Sequence, residues 1–463
     1  QVGIRMIIIH MLDDASLNLI KTLFTFHRFF PAVEQTKSSN FFPPNRFNAQ
    51  ALGTITRDSS GILFLHCALI QFSSTMKISA AFFTRLWVII MVTLSPIAQS
   101  WALDGAPPGP LAEKIHQNLA AFNIPGASIA VIQRGEIAWA SGFGYADLSE
   151  QRAVTKDTLF QAASITKTLT SLVTIKTLDQ EQISLDAGVN DYLTRWQIPS
   201  NTLTITSPVS FRMLLNHTGG ISNPYPDGCC APDYPLPSLI QVFRGEAPAT
   251  NPPLVATSLP GSEYQYCNGC YAILQGALED ISGRDFNTLL IQDVLNPAQM
   301  QSSRFDNEFF LVDDSSIALP YAPDHVVYEN APMRNPILST GLLWATASDL
   351  ARFNLYVIEA LNGDNDLISQ VLARQLVLPS STKTRTLGFY IGNKDAETQA
   401  NGSYIWHTGS NIGYLTISII SMDGQHGAVI LINVSPEWDA REYPQFSFIT
   451  ETLSEISEFY GWP

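Results

Sequence analysis

Strand-forming runs sit toward the two ends of this chain and not in its middle, and that placement constrains the fold more than any other feature. Pro107-Pro108-Gly109-Pro110 opens a helix expected to run to about Phe122, where Asn123-Ile124-Pro125-Gly126 stops it. Residues 127–133 and 136–142 follow as two β-rich runs separated only by Arg134-Gly135, a tight hairpin signal. Far along the chain, 387–391, 404–408, 414–421 and 428–434 are successive strand candidates. Met422-Asp423-Gly424 turns the last pair, and an amphipathic helix over 444–460 follows. The middle, about 186–335, is rich in Pro and loop residues, with helical stretches near 209–216, 270–282 and 285–295. Another helix is expected near 347–361. The two ends are therefore expected to build one α/β lobe, an antiparallel sheet flanked by helices. A mostly helical lobe, about 186–335, would be inserted into it.

Length and charge point to a leader. The chain has 463 residues, more than the ~250–300 at which a single core stops growing. Met76 reads as a start, followed by a short segment carrying Lys77 and Arg85, an apolar run over 86–97, and small residues at Ser100 and Ala102 that suit a signal peptidase. The run contains Pro96 and is too short to cross ~30 Å of hydrocarbon. We therefore expect an exported chain, periplasmic or secreted, with 76–102 as signal peptide, 103–463 as the folded domain, and no stable membrane span after cleavage. Residues 1–75 show no sustained period and are expected to be non-native or unstructured upstream sequence, a genuine extension being the alternative.

The full chain has 26 basic and 41 acidic residues, a net of −15. Residues 1–102 hold eight basic and four acidic side chains, so the remaining 361 residues carry 18 against 37, a net of −19. Such a chain lacks the basic stripe that a phosphate backbone requires, which excludes nucleic acid as a partner. A hydrophobic fraction of 46% with 14% charged residues describes a globular protein. Cys67 departs with the leader, leaving Cys229, Cys230, Cys267 and Cys270.

Chemistry enters at Ser164-Ile165-Thr166-Lys167, where a new helical stripe begins. Positions i and i+3 are neighbours on a helix, so the amine can reach the hydroxyl. A serine is a poor nucleophile until a base takes its proton, and a desolvated Lys can be that base. Backbone N–H groups at the helix start suit a developing oxyanion. Alone the pattern is weak, and Ser164 as a helix cap with Lys167 as a solvated residue is the favoured reading in isolation.

Its company changes that. Tyr266-Cys267-Asn268 and His407-Thr408-Gly409 follow in order, and the set S-x-T-K, Y-x-N, H-T-G resembles the serine penicillin-recognising hydrolases. That superfamily holds class C β-lactamases, D-alanyl-D-alanine carboxypeptidases and related esterases and D-amino-acid peptidases. Flanking segments agree: Phe160-Gln161-Ala162-Ala163, Leu214-Leu215-Asn216-His217-Thr218-Gly219-Gly220-Ile221, and the stretch from Gly341 to Leu350. The resemblance covers about 108–460 and implies a β-lactamase/transpeptidase-like fold that needs no cofactor or metal.

It also implies roles. Ser164 would form the acyl-enzyme. Lys167 and Tyr266 would share the proton transfers. Asn268 would bind the substrate amide, and His407 and Thr408 would line the strand edge and hold a substrate carboxylate. Gly409 would let the ligand approach the backbone, and the N–H groups of Ser164 and Ser410 would form the oxyanion hole. His217 reads as structural.

Class C β-lactamases usually carry Lys where this chain has His407, whereas His resembles the carboxypeptidase and D-peptidase branch. An imidazole there would change charge near pH 6.5. The implied activity is therefore a carboxypeptidase or D-peptidase on a small-molecule or peptide substrate, ahead of a β-lactamase and then an esterase. A monomer is expected. A sensor that binds penicillin-like or peptidoglycan ligands without turnover is the reading from another class. The cysteines are unusual for any of these: Cys267-Asn268-Gly269-Cys270 overlaps the tyrosine motif. Redox activity and zinc binding are open to such a set. In an exported chain, disulfides tying the 229–230 loop to the Tyr266 loop are favoured, although pairing is not legible in sequence.

Overall fold

The computed structural model describes residues 105–223, 235–305, 315–328, 334–365, 368–380, 385–392, 404–436 and 444–462, with the backbone of two short strands before them. The chain divides into two units, Gln1–Phe83 and Thr84–Pro463. In the first, Ile55–Arg57 and Leu63–Leu65 pair antiparallel, Ile55 opposite Leu65, a pairing that no sequence period announces. The expected signal peptide (76–102), Cys67, Cys229 and Cys230 lie outside the described residues.

The second unit opens with helix α1 (Gly109–Ala121), in which Pro110 occupies the first turn, where its missing N–H has no intrahelical partner to lose. Strands β1 (Gly126–Gln133) and β2 (Glu136–Asp147) form the expected hairpin. Arg134 and Gly135 both take positive φ, 58° and 77°, the turn whose twist matches paired strands. After β3 (Arg152–Ala153) and β4 (Phe160–Gln161) comes helix α2 (Thr166–Gln180), then helix α3 (Asn268–Ser282) in the middle of the chain. Strand β5 (Trp344–Ala345) pairs with β4 and leads into helix α4 (Ala347–Asn362). Strands β6 (Tyr390–Gly392), β7 (Tyr404–Asn411), β8 (Tyr414–Ser421) and β9 (His426–Ile432) and helix α5 (Pro444–Tyr460) complete it.

Seven strands make one antiparallel sheet in the order β3-β2-β1-β9-β8-β7-β6. The join between the chain's two ends is the β1–β9 pair, with Ala127 opposite Ile432. Both sheet faces are covered. Ile129 and Val131 pack with Leu111 and Ile115 of α1 and Phe448 and Ile456 of α5. Ala130 and Ile132, pointing the other way, join a core that contains α2, α3 and α4. Double burial explains why 428–432 reads Ala-Val-Ile-Leu-Ile without alternation.

One expectation shifts. The strand expected from 387 begins at Tyr390, because 386–389 form a turn in which Thr386 and Phe389 exchange backbone and hydroxyl hydrogen bonds. The 186–335 segment contributes Phe211, Leu214, Leu274 and Leu289 to the same core as the sheet, so it shares one compact unit with it.

Candidate active site

Ser164 lies in one turn of 3-10 helix, Ala163–Ile165, that runs into α2. It caps nothing, which removes the bland reading of this residue. Lys167 Nζ stands 3.1 Å from Ser164 Oγ and donates to the Thr340 carbonyl at 2.6 Å. Helix α2 is not the amphipathic stripe its spacing suggests: it is buried on nearly every side, including seven polar residues. Thr166, Thr168, Thr170, Ser171 and Thr174 turn their hydroxyls onto backbone carbonyls three or four residues earlier, so their burial strands no donor. Lys167 has no such escape. It is fully buried without a carboxylate, and desolvation of its charged form pushes its pKa down to about 7.

The Tyr266 loop closes over this amine. Lys167 Nζ is 5.1 Å from the Tyr266 ring centroid and 5.7 Å from that of Tyr271. Burial pushes the Tyr266 pKa up to about 12, against a lowering effect of the neighbouring Ser164 hydroxyl. His217, in the left-handed region at φ 62°, fixes the loop twice: its carbonyl accepts from Gln265 N–H (2.9 Å), and its Nδ1 accepts from Cys267 N–H (3.1 Å). Its ring lies 4.6 Å from Tyr266 and 5.1 Å from Tyr271, centroid to centroid. Burial first, then the Lys167 charge, hold its pKa well below 6.5, so it works as a neutral brace. Asn268 begins α3, and its buried Oδ1 has no partner among the described residues.

Cys267 Sγ and Cys270 Sγ lie 2.07 Å apart across the first turn of α3, while Cys229 and Cys230 lie outside the described residues. The reason is local: with Cys267 as the N-cap residue, the two side chains three apart meet on one helical face.

Strand β7 supplies the third wall. Alternation puts His407 and Gly409 toward Ser164, opposite Ser418 and Thr416 of β8. A Cβ on Gly409 would come 2.5 Å from the Ala162 carbonyl oxygen and 2.4 Å from Thr416 Oγ1. Glycine here admits the Ser164 turn itself. Thr416 Oγ1 braces the junction by donating to the Ala162 carbonyl at 3.0 Å. Asn411 does likewise toward Gln161 Oε1 and the Gly341 carbonyl, both 2.8 Å.

His407 is buried and donates Nδ1–H to the Thr408 carbonyl. Burial, then the Lys167 charge, push its pKa down to about 3, so it stays neutral at ordinary pH and has no charge change near 6.5. Thr408 faces the opposite side of the sheet, where it lines a cavity of about 530 Å³ with Trp406, Ile417, Phe446 and Trp462. Ser164, Lys167 and Tyr266 are not among the residues lining that cavity. Thr408 and Ser410 therefore meet the site through their backbone. Strand β6 pairs only with 404–406, which leaves 407–411 an edge without a strand partner among the described residues.

Three groups at the site were not legible as motifs. Thr340 holds Lys167 and immediately precedes the Gly341 segment. Tyr271 donates to the Leu215 carbonyl and meets Ser171 Oγ at 3.0 Å, locking α3 to α2. Arg385 stacks on Tyr390 beside His407. A lone Thr, Tyr or Arg carries no spacing that marks it.

The Beta-lactamase family model matches residues 111–449. Protein flp of Staphylococcus aureus strain MW2 is 19% identical over 333 residues, 70% of this chain and 62% of that protein's length. A D-aminopeptidase of Brucella canis is 26% identical over 188 residues, 39% of this chain and 32% of its own. Among solved structures, the D-amino acid amidase of Ochrobactrum anthropi superposes with a TM-score of 0.58 at 16% identity, over 75% of this chain and 98% of that one. Among the described residues no helix is long and apolar enough to cross a membrane. With the family model spanning the sheet, the Ser164 turn, the Tyr266 loop and strand β7, this chain belongs to the Beta-lactamase family.

Proposed function

We propose that the chain is a serine hydrolase that cleaves amide or ester bonds through a Ser164 acyl-enzyme, acting as a D-alanyl-D-alanine carboxypeptidase or D-peptidase-like enzyme. One observation carries the reading: a fully buried Lys167, with its pKa near 7, stands 3.1 Å from Ser164 Oγ. Above that pH the amine is neutral and can take the hydroxyl proton as Oγ bonds to the substrate carbonyl carbon. Tyr266, held protonated by burial, is a poor base but a good relay. As the tetrahedral intermediate collapses, the proton on Lys167 passes through the phenol to the leaving nitrogen or oxygen, and the scissile bond breaks. Water attacks the ester by the reverse route, restoring Ser164. Asn268 Oδ1, a buried acceptor awaiting a donor, suits a substrate amide N–H.

The resemblance to a D-aminopeptidase and a D-amino acid amidase supports a substrate with D-configured residues. The neutral His407 supports placing β-lactamase activity second. We also propose export through 76–102, to be checked by sequencing the N-terminus of the secreted protein, and a covalent Cys267–Cys270 link, to be checked by mass with and without reductant.

A panel of D-Ala-D-Ala peptides, nitrocefin and p-nitrophenyl esters, with Ser164→Ala as control, tests the function. Ser164-dependent release of D-alanine is expected. Fluorescent-penicillin labelling that is equal in wild type and Ser164→Ala would remove serine acylation from consideration.

A further inference from the structure

The Tyr266 loop is held by two residues. His217 is one, through its hydrogen bonds to Gln265 and Cys267 and an edge-to-face contact of 5.8 Å with the Tyr264 ring. Arg385, which follows no sequence motif, is the other. Its guanidinium carbon lies 4.8 Å from the Tyr264 ring centroid and 3.5 Å from that of Tyr390. Tyr390 in turn stacks on Trp406 of β7 at 4.5 Å and lies 4.8 Å from the His407 ring. Tyr264, Arg385, Tyr390 and Trp406 thus make one chain of ring and cation contacts from the Tyr266 loop to strand β7. The backbone fixes its middle. Arg385 and Tyr390 form an antiparallel bridge, the Arg385 carbonyl accepts from Ser380 N–H at 2.7 Å, and Tyr390 sits opposite Trp406 in the β6–β7 register.

A guanidinium over aromatic faces is attracted more strongly where water is excluded, and its flat, delocalised cation stacks as an ammonium does not. Its charge also lowers the pKa of the Tyr266 phenol against the effect of burial, which makes that phenol a readier proton donor. We propose that Arg385 is a positioning residue: clamped between Tyr264 and Tyr390, it ties the Tyr266 loop to strand β7 and holds the Tyr266 phenol where it can hand a proton to the leaving atom. The proposal rests on the serine-hydrolase reading and concerns one step of it. In that step the C–N bond of the tetrahedral intermediate breaks and its electron pair stays on nitrogen. Nitrogen takes the phenol proton, Lys167 returns one to the phenol oxygen, and the acyl group stays on Ser164. A p-nitrophenyl ester makes no such demand, because its leaving oxygen departs as a stable anion.

The test compares the p-nitrophenyl ester and the p-nitroanilide of N-acetyl-D-alanine, two uncharged substrates with the same acyl group. The quantity read is the ester-to-anilide ratio of kcat/KM, which reports acylation and does not depend on how much of the enzyme is folded. Arg385→Met should raise that ratio about tenfold, the scale of a desolvated cation–π contact, by slowing the anilide alone. Arg385→Lys, which keeps the charge but loses the flat stack, should raise it about threefold. Adding Arg385→Met to Tyr266→Phe should raise it no further, because both changes act through one phenol. A ratio left unchanged by Arg385→Met or, failing its folding, by Arg385→Lys overturns the assignment. So does a further rise on adding Arg385→Met to Tyr266→Phe, or a wild type that cleaves the ester through Ser164 but not the anilide. Ester hydrolysis that persists in Ser164→Ala overturns the hydrolase reading instead, so the two failures are distinguishable.

Discussion

The two faces of the central sheet are built from opposite materials. On one, α1 buries Leu111, Ile115 and Leu119, and α5 buries Phe448, Ile449 and Ile456 beside the uncharged Gln445, Thr452 and Ser457. On the other, α2 buries seven polar residues, among them Lys167. The first face stabilises by removing apolar surface from water. The second has five hydroxyls that bond their own backbone, a buried Thr177 hydroxyl without a partner among the described residues, and one buried amine without a carboxylate. Stability and reactivity are thus separated across about one sheet thickness: the apolar face holds the strands in register, and the polar face uses that rigidity to keep a discharged lysine against a serine.

Breaking the polar face should have the largest effect on activity. Ser164→Ala should lower kcat/KM by about 10⁴-fold or more, measured on whichever peptide wild type turns over, because the bond-forming atom is gone. Lys167→Met should be nearly as inactive, since nucleophile and base act as a unit.

The lysine variant sharpens the comparison through stability. Folded Lys167 titrates near 7 and the unfolded residue near 10.5, so between those values the unfolded chain binds the extra proton. The folding penalty is therefore complete below pH 7 and relieved as pH rises toward 10.5. Lys167→Met removes it, and its melting temperature should exceed wild type's most below pH 7, with the gap closing toward pH 10. A constant gap would mean that Lys167 is not discharged by burial. The same value sets an acid limb in wild-type kcat/KM, falling about tenfold per pH unit below 7, as expected of a base that must be unprotonated.

Smaller losses should come from the seam between the faces. Gly409→Ala places a methyl 2.5 Å from the Ala162 carbonyl oxygen, so the Ser164 turn or β7 must move. A stability cost of about 1–3 kcal/mol is expected, with a fall in kcat exceeding the change in KM. Phe448→Ala, on the apolar face, should cost about 3–5 kcal/mol in urea unfolding yet leave kcat per folded molecule unaltered. A drop in kcat there would show that the two faces are coupled.

The apolar face was also the legible one. The hairpin over β1 and β2, strand β8 and helix α5 follow from periodicity and turn chemistry, because each buries its side chains in a simple pattern. Ser164, Lys167 and Tyr266 were legible as an ordered set of motifs, and the structure brings them together. The burial of α2 was not legible: a helix rich in Thr and Lys reads as solvated until the hydroxyl-to-carbonyl bonds are seen. Nor was the orientation of Thr408, since a strand's facing depends on which side its neighbours cover.

Local pattern settled the order of elements and the serine–lysine spacing, because these depend on residues a few positions apart. Tertiary structure alone decided that Lys167 is discharged, that His407 is neutral, that Gly409 serves the Ser164 turn and that Arg385 stacks on Tyr264 and Tyr390 beside the site. Each of those is a matter of solvent exclusion and of contacts between residues tens to hundreds of positions apart, and no local window of sequence contains them.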